Sequence, residues 1–278
     1  MKANFKPLGI AAAVAAVTAG YAGVVNAQTV AADTETGDLA IVPYYTVLNG
    51  YSTGINIINT ADQTHAIKVR FRRAEDSMDA LDFNVVLSPY DMYTGFISAS
   101  GDDITFTSND NSCTAPAMTD GKFTMPSIYR AGAETGYIEI ISMGTPDPAT
   151  ANAIDASAEH GSDGVPADCG AVRDNFFADS DGTVKGVLNP NTSYQGAGAT
   201  LAENQWIAAD DALKVSYFIK SDETGVEFGD NAVHVAGFMT DASMTNQQKG
   251  VFEGDLQGFD HPDLNGGSPL GMSSVNQF

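Results

Sequence analysis

The sequence predicts a mainly β protein: an antiparallel β-sandwich, Ig-like or jelly-roll-like, that carries a long loop-rich insertion. Three observations lead to this fold class. Short segments alternate apolar and polar residues, clusters of turn residues separate them, and residues 143–205 are instead rich in Ala, Gly, Asp, Asn and Pro. The expected order is a cleaved signal at 1–27, the first part of the sandwich at 28–142, the insertion at 143–205, strands completing the core at 206–240 and a polar tail at 241–278.

The N-terminal segment has the three parts of a secretory signal peptide. Lys2 and Lys6 supply a positively charged start, an apolar stretch rich in Ala, Gly and Val follows, and the segment ends in Val25-Asn26-Ala27. Its strongly apolar part is shorter than the roughly 20 residues that a membrane-spanning helix needs. We therefore expect cleavage between Ala27 and Gln28.

The first two strands after the signal are predicted to form a hairpin. Segments 39–48 (LAIVPYYTVL) and 51–59 (YSTGINIIN) flank Asn49-Gly50. Asn-Gly is a strong signal for a tight hairpin turn, because both of its residues accept positive φ angles. Pro43 has no amide hydrogen to donate, so the first strand is expected to lie at a sheet edge or to begin there.

Segments 65–73 and 81–87 each alternate between two kinds of residue, as half-buried strands do. The inward-facing residues are expected to be Ile67, Val69 and Phe71 in the first strand and Leu81, Phe83, Val85 and Leu87 in the second. The outward-facing residues are expected to be Lys68, Arg70 and Arg72 in the first strand and Asp82 and Asn84 in the second. The first strand should therefore present a basic outer face.

Shorter patterns complete the prediction. Further strands are expected at 92–97, 104–107, 136–142, 212–220 and 226–240. Ser88–Asp91 is predicted to be a turn with Pro89 at its second position. Ala149–Ala158 has the composition of a short helix without a broad apolar face.

The chain is strongly acidic, with 35 acidic and 13 basic residues and a formal charge of −22. The negative electrostatic potential of such a chain repels nucleic acid and anionic membranes, so neither is a predicted partner. We interpret the charge as a surface adapted to salty water, where screening over about 10 Å or less weakens self-repulsion; binding of a polycation is the alternative. Beyond the signal no apolar stretch reaches the length of a membrane span, so no integral membrane segment is expected.

The two cysteines, Cys113 and Cys169, are predicted to form one disulfide, as an even pair does in an exported protein. Two free thiols are the alternative. The bridge would close a loop of about 57 residues, worth roughly 4 kcal/mol in the chain-entropy model. Neither CxxC nor CxxCH occurs, so neither a structural zinc site nor covalent haem is expected.

No motif for catalysis stands out. The four histidines are His65, His160, His234 and His261, and none has the spacing of a metal-binding pair. HExxH and GxSxG are both absent from the sequence. We therefore predict that the protein is not an enzyme, and name no catalytic residue and no organic cofactor.

Calcium is the most credible ion, because an exported acidic chain offers many hard oxygen ligands. Asp179-Ser180-Asp181-Gly182 and Asp263-Leu264-Asn265-Gly266 each resemble the later part of a calcium loop. The first ligand position is Phe177 in one and His261 in the other, so neither is an EF-hand. The weak candidate ligands are Asp179, Asp181, Asp263 and Asn265.

Acidic residues follow the basic strand closely in the sequence. We expect them to pair with its arginines in a surface charge network, in which each exposed pair contributes about 0–1 kcal/mol. A polar binding face is the alternative interpretation. The acidic members are Glu75, Asp76, Asp79 and Asp82, and the arginines are Arg70, Arg72 and Arg73.

Four stretches of the chain together resemble a family of uncharacterised exported proteins of Gram-negative bacteria, usually labelled hypothetical or cell-surface proteins. The stretches are VPYYTVLNGYSTGINIINT, VRFRRAEDSMDALDFNVVLSPYDMYTG (Val69–Gly95), CTAP at Cys113–Pro116 and GYIEII at Gly136–Ile141. The resemblance covers residues 38–143 and implies a secreted β-sandwich. It brings no established reaction and no site residues.

These observations favour a non-catalytic surface or extracellular protein with a structural, assembly or binding role. Edge strands of such domains accept a strand from a neighbour, which would allow self-assembly or attachment to a surface partner. One alternative is a secreted hydrolase that uses carboxylates of the 143–205 insertion. Another is a soluble periplasmic carrier with an apolar pocket lined by Tyr44, Tyr45, Tyr90, Tyr93 and Phe96.

Overall fold

The computed structural model describes residues 29–30, 35–127, 129–149, 153–174, 187–188, 206–239, 242 and 244–245. Within these ranges the strands are short, and every strand pairs with its neighbours in antiparallel fashion. In chain order they are β1 Thr29–Val30, β2 Leu39–Thr46, β3 Tyr51–Asn59, β4 His65–Arg73, β5 Asp79–Leu87, β6 Met92–Ser100, β7 Asp103–Thr107, β8 Cys113–Ala115, β9 Lys122–Thr124, β10 Thr135–Pro146, β11 Val187–Leu188, β12 Trp206–Ile207, β13 Leu213–Ser221, β14 Val226–Asn231, β15 Val233–Ala236 and β16 Met244–Thr245. The helices are α1 Ala153–Ala158 and α2 Cys169–Asp174, with a 3-10 turn at Leu48–Gly50.

Two antiparallel sheets pack face to face, which confirms the predicted β-sandwich. Sheet I has the strand order β1-β15-β2-β10-β4-β5-β8, and β12 pairs with the end of β10. Sheet II has the order β14-β13-β3-β6-β7-β9. The short strands β11 and β16 pair separately.

The core lies between the two sheets, because alternate residues of each strand point inward. The inward-facing residues predicted for β4 and β5 are all buried there. Aromatic side chains from both sheets meet at the centre, where the Phe83 ring lies 5.1 Å from Phe106 and 4.6 Å from Phe123. The alternation in the sequence therefore identified the core face of these strands correctly.

The predicted hairpin between β2 and β3 is wrong, although its turn is correct. Asn49 and Gly50 have φ angles of 54° and 75°, as an Asn-Gly turn requires. The strands on either side do not pair with each other, because β2 joins sheet I and β3 joins sheet II. The turn thus carries the chain across the core from one sheet to the other.

The strand that contains Pro43 was expected to lie at a sheet edge or to begin there, but β2 lies inside sheet I between β15 and β10. Pairing with β15 is limited to Leu39–Ile41, so Pro43 lies beyond it. On the other side the register shifts, and Pro43 and Tyr44 together lie opposite Tyr137. A β-bulge is the other place where a strand tolerates a residue without an amide hydrogen.

The segment predicted as one strand at 226–240 forms two strands in different sheets. β14 pairs with β13 in sheet II, whereas β15 pairs with β2 in sheet I. His234 of β15 is buried, and its Nε2 accepts a hydrogen bond of 2.9 Å from the Val215 amide of β13. This bond ties the two sheets together where the chain crosses between them.

Gly136 allows β10 and β4 to pair closely. A Cβ at this position would lie 1.7 Å from the Arg72 carbonyl oxygen and 2.8 Å from the Tyr45 ring. Glycine is therefore required here by close backbone approach. None of the helices in the described part of the chain is long and apolar enough to cross a membrane.

Candidate functional site

Several residues singled out in the sequence lie outside the described part of the chain. These are the calcium candidates Asp179, Asp181, Asp263 and Asn265, the histidine His261 and the cleavage positions Ala27 and Gln28. Among the described residues, no three His, Cys, Asp or Glu side chains are grouped closely enough to hold one metal ion.

The predicted disulfide is confirmed. Cys113 of β8 and Cys169 at the start of α2 are bonded, with their Cα atoms 5.1 Å apart. A second, smaller core forms around this bond on the outer side of sheet I. It packs Ile154, Ala158 and Val172 of the two helices with apolar residues of the sheet. The disulfide therefore fastens both helices to the sandwich.

The basic face of β4 is not exposed, which corrects the prediction of a surface charge network. Lys68, Arg70 and Arg72 are at most 1% exposed. The Lys68 ammonium lies 2.8 Å from Asp82, and the Arg70 guanidinium lies 2.9 Å from Asp79. These pairs belong to the interior of the molecule, where ion pairs are subject to a large desolvation penalty.

A third acidic residue, Glu139 of β10, completes this charged cluster and was missed in the sequence. Its carboxylate lies 2.9 Å from Arg72 Nε and 3.6 Å from Arg70 Nη1. Burial and the neighbouring Arg70 act to lower the pKa of Arg72, but Asp79 and Glu139 raise it above its ordinary value. The register of β10 against β4 places Glu139 directly opposite Arg70, and only the sheet order reveals this neighbour. The charged cluster is balanced, with three basic and three acidic side chains.

One of the expected pairs does lie near the surface. Arg73 and Asp76 form an ion pair in which both side chains are partly exposed. The Arg73 guanidinium lowers the pKa of Asp76.

Ser88, Asp91 and His160 come together where α1 ends, as a serine, an acid and a histidine do in hydrolases. Ser88 Oγ lies 3.0 Å from His160 Nδ1, and Asp91 Oδ2 lies 3.6 Å from the same nitrogen. In a catalytic triad the serine and the acid contact opposite nitrogens of the ring. Here both contact Nδ1, and Ser88 Oγ also donates to Asp91 at 3.3 Å. This arrangement closes the β5–β6 turn and differs from that of a catalytic triad.

The aromatic residues proposed for a carrier pocket do not line one cavity. Tyr45 and Tyr93 are buried in the core, where Tyr45 donates a hydrogen bond of 2.9 Å to the Ala133 carbonyl. Tyr44, Tyr90 and Phe96 are instead exposed at the surface. Strand alternation separates Tyr44 from Tyr45 because neighbouring side chains point in opposite directions.

A cavity of about 350 Å³ opens between α1 and one end of the sandwich. It is bordered by the loop before β4, the end of β10, the Ser88–Asp91 turn and α1 itself. Its acidic residues are Asp62 of the loop, Asp155 of α1 and Glu159 just after α1. We call it the α1 cavity.

The edge strand β14 is the most exposed of the described strands of sheet II. All six of its residues are exposed, and among the described strands it pairs only with β13. Val226 and Phe228 lie on the same side of the strand and are 47% and 52% exposed. The other strands at the ends of the two sheets are only two or three residues long: β1, β8 and β9. β14 is therefore the one long described edge, and we call it the β14 edge.

Comparison with known proteins places the chain in no family. No protein-family model matches the sequence, and no curated protein matches it. Chicken galectin 2 is a solved structure with partial similarity: 13% identity, covering 37% of this chain and 92% of that one, with a TM-score of 0.25. A similarity at this TM-score carries no argument about function.

Proposed function

We propose that this chain is a non-catalytic exported protein that acts at the cell surface or outside the cell by joining to a neighbour through the β14 edge. The observation that carries the proposal is the full exposure of this six-residue edge strand. Along an antiparallel strand, alternate residues direct their N–H and C=O groups away from the paired neighbour. The outer side of β14 therefore offers unpaired backbone groups to an added strand.

The partner strand that fits best is β14 of a second copy. When two copies of a strand pair in antiparallel fashion about a two-fold axis, one residue lies opposite its own copy. Residues at equal distances before and after that central residue then lie opposite each other. The register centred on Phe228 places the two Phe228 rings opposite each other, Glu227 opposite Gly229 and Val226 opposite Asp230. Registers centred on Glu227 or Asp230 would instead place two carboxylates opposite each other, which is destabilising.

Such pairing also buries apolar surface that is now exposed. Phe228 and Val226 lie opposite the buried Ile219 and Ser221 of β13, and yet both remain exposed. An aromatic cross-strand pair contributes roughly 0.2–1 kcal/mol in addition to the backbone hydrogen bonds. The two sheets II would then form one continuous sheet across the interface.

The test is electron microscopy and sedimentation of the purified exported protein, with and without calcium, for the wild type and Phe228→Lys. We expect dimers for the wild type and monomers for the variant, because a two-fold interface closes after two copies and the added charges would face each other. Tyr90→Lys is the matched control, since Tyr90 is 67% exposed and lies in the β5–β6 turn away from the edge. Monomeric wild-type protein under all conditions, or equal association of Phe228→Lys, overturns the proposal.

A secreted hydrolase is the second candidate function, and the α1 cavity is the specific observation in its favour. Asp155 and Glu159 of the 143–205 segment border the cavity together with Asp62. A pair of carboxyl groups about 5–9 Å apart across a bound sugar would be needed. Release of reducing sugar from polysaccharides by the wild type, abolished in both Asp155→Asn and Glu159→Gln, would support this alternative over the first.

A further inference from the structure

The α1 cavity has the charge of a cation-binding site. Asp62, Asp155 and Glu159 line it, and the lining described for the cavity includes no Lys, Arg or His. A concave surface lined by charges of one sign concentrates ions of the opposite sign. Any ligand of this cavity should therefore be positively charged.

Two buried threonines supply a second, independent observation. Thr64 and Thr145 line the cavity and are 1% and 2% exposed. The hydroxyl oxygen of each is buried and has no hydrogen-bond partner in the structure. Most buried polar groups do have one, and leaving such a group unpaired destabilises the folded protein. A donor placed in the cavity by a ligand would satisfy both oxygens.

The remaining lining indicates an organic cation with an alkyl chain. Pro89, Pro146 and Pro148 present apolar ring surfaces between the polar groups. A volume of about 350 Å³ is at the lower end of the range for small-molecule sites. The carboxylates come from two elements, Asp62 from the loop before β4 and the other two from α1 and its end, and among the described residues no three-ligand metal group occurs. Separate carboxylates suit a ligand whose positive charges are themselves separated.

We propose that the α1 cavity binds a linear alkyl diamine or a molecule that presents such a group. Its ammonium groups would bind the carboxylates and donate to the threonine hydroxyls, while its methylene groups contact the proline rings. This inference does not depend on the β14 edge, which lies on a different part of the molecule.

The experiment is calorimetric titration of the full exported protein with cadaverine at low ionic strength. Pentanediol, which has the same chain length without charge, and glutarate, which carries the opposite charge, are the ligand controls. We expect cadaverine to bind, and we expect no binding of pentanediol or glutarate. Absence of cadaverine binding, or equal binding of pentanediol, overturns the proposal.

Two sets of variants locate the site. Asp155→Asn combined with Glu159→Gln should weaken cadaverine binding about tenfold or more, equivalent to at least 1.4 kcal/mol. The matched control is Asp222→Asn combined with Glu223→Gln, which removes two exposed carboxylates from the β13–β14 turn. Equal loss of binding in both double variants would show that cadaverine is attracted by net charge alone. That result would overturn the proposal that it binds in the α1 cavity.

Thr64→Val and Thr145→Val separate ligand binding from folding. Because neither hydroxyl has a partner in the structure, its removal should leave the unfolding free energy of the ligand-free protein unchanged or raised. Cadaverine affinity should nevertheless fall. Unchanged affinity in both variants contradicts the proposed contacts.

Discussion

Lys68, Arg70 and Arg72 lie on the outer face of β4 and yet are buried, which is possible because acidic residues on two neighbouring strands face them. Asp79 and Asp82 of β5 and Glu139 of β10 supply the opposing charges. A buried ion pair contributes little net stability compared with an apolar pair of the same shape, but loss of one partner leaves an uncompensated charge. The residues of this cluster therefore depend on one another.

Substitution Glu139→Gln should lower the unfolding free energy by about 3–5 kcal/mol, because it leaves Arg70 and Arg72 with one carboxylate fewer in a buried site. Urea unfolding followed by circular dichroism measures this change.

The control for Glu139→Gln is Asp103→Asn, which breaks the ion pair between Asp103 and Arg130. Asp103 is 59% exposed, so this substitution should change stability by about 1 kcal/mol or less. Similar effects of the two substitutions would contradict the interpretation that burial makes the difference.

Asp38 and His65 should give opposite dependences of stability on pH. Burial raises the pKa of Asp38 from 3.8 to about 6, although the Met239 and Phe238 amides that donate to its carboxylate act to lower it. The folded chain therefore binds this proton more tightly than the unfolded chain. The contribution of Asp38 is greatest near pH 4 and falls by up to about 3 kcal/mol as the pH rises through 6.

Burial lowers the pKa of His65 from 6.5 to about 4, so here the unfolded chain binds the proton more tightly. Its contribution is lost below about pH 4 and rises by up to about 3 kcal/mol towards pH 6.5. Unfolding free energies of the wild type, Asp38→Asn and His65→Gln across this range give each contribution by difference. Parallel curves for the wild type and a variant would contradict the assignment for that residue.

At the scale of elements, the outer side of sheet I differs from that of sheet II because helices cover part of it. α1 and α2 place Ile154, Ala158 and Val172 against β4, β5 and β8. The composition of Ala149–Ala158 indicated a helix without a broad apolar face, and each helix has only six residues. Neither helix has the length to be stable by itself, so the disulfide and the small core hold them in place.

Replacement of both Cys113 and Cys169 by Ser should lower the unfolding free energy by roughly 4 kcal/mol, the value for a loop of about this length in the chain-entropy model. Amides of α1 and α2 should then exchange with deuterium faster than those of the central strands, as measured by mass spectrometry. Reduced wild-type protein is the control and should match the double variant. An unchanged midpoint of unfolding would show that the helices are held by packing alone.

At the scale of the whole molecule, the net charge controls self-association. A formal charge of −22 makes any two copies repel, and Glu227 and Asp230 add charge at the β14 edge itself. Charged residues on an edge strand protect it against unwanted pairing. The same charges make the proposed pairing dependent on the ionic strength.

Self-association should therefore increase with salt, because the screening length falls from about 10 Å at 0.1 M to about 3 Å at 1 M. Sedimentation velocity across this range at constant protein concentration measures the average mass. An interface held by opposite charges would weaken with salt instead, and that result would be inconsistent with pairing of two acidic edges.

Much of the fold could be predicted from the sequence, because local signals and the final structure agree over most strands. The alternation of Ile67, Val69 and Phe71 identified the core face of β4, and the even pair of cysteines predicted their bond. The two candidate surfaces were not predicted as such. The exposure of β14 depends on its place at the end of sheet II, and the α1 cavity joins residues from four separate parts of the chain.

The sequence by itself determined which residues turn the chain and which side of each strand is apolar. Asn49 and Gly50 accept positive φ wherever they occur, and alternation is a property of the strand alone. Only the tertiary structure decided what lies beside each strand: that β2 and β3 belong to different sheets, and that Glu139 faces Arg70. The physical reason is that pairing between distant strands depends on how both sheets bury their apolar faces together, which no short segment specifies.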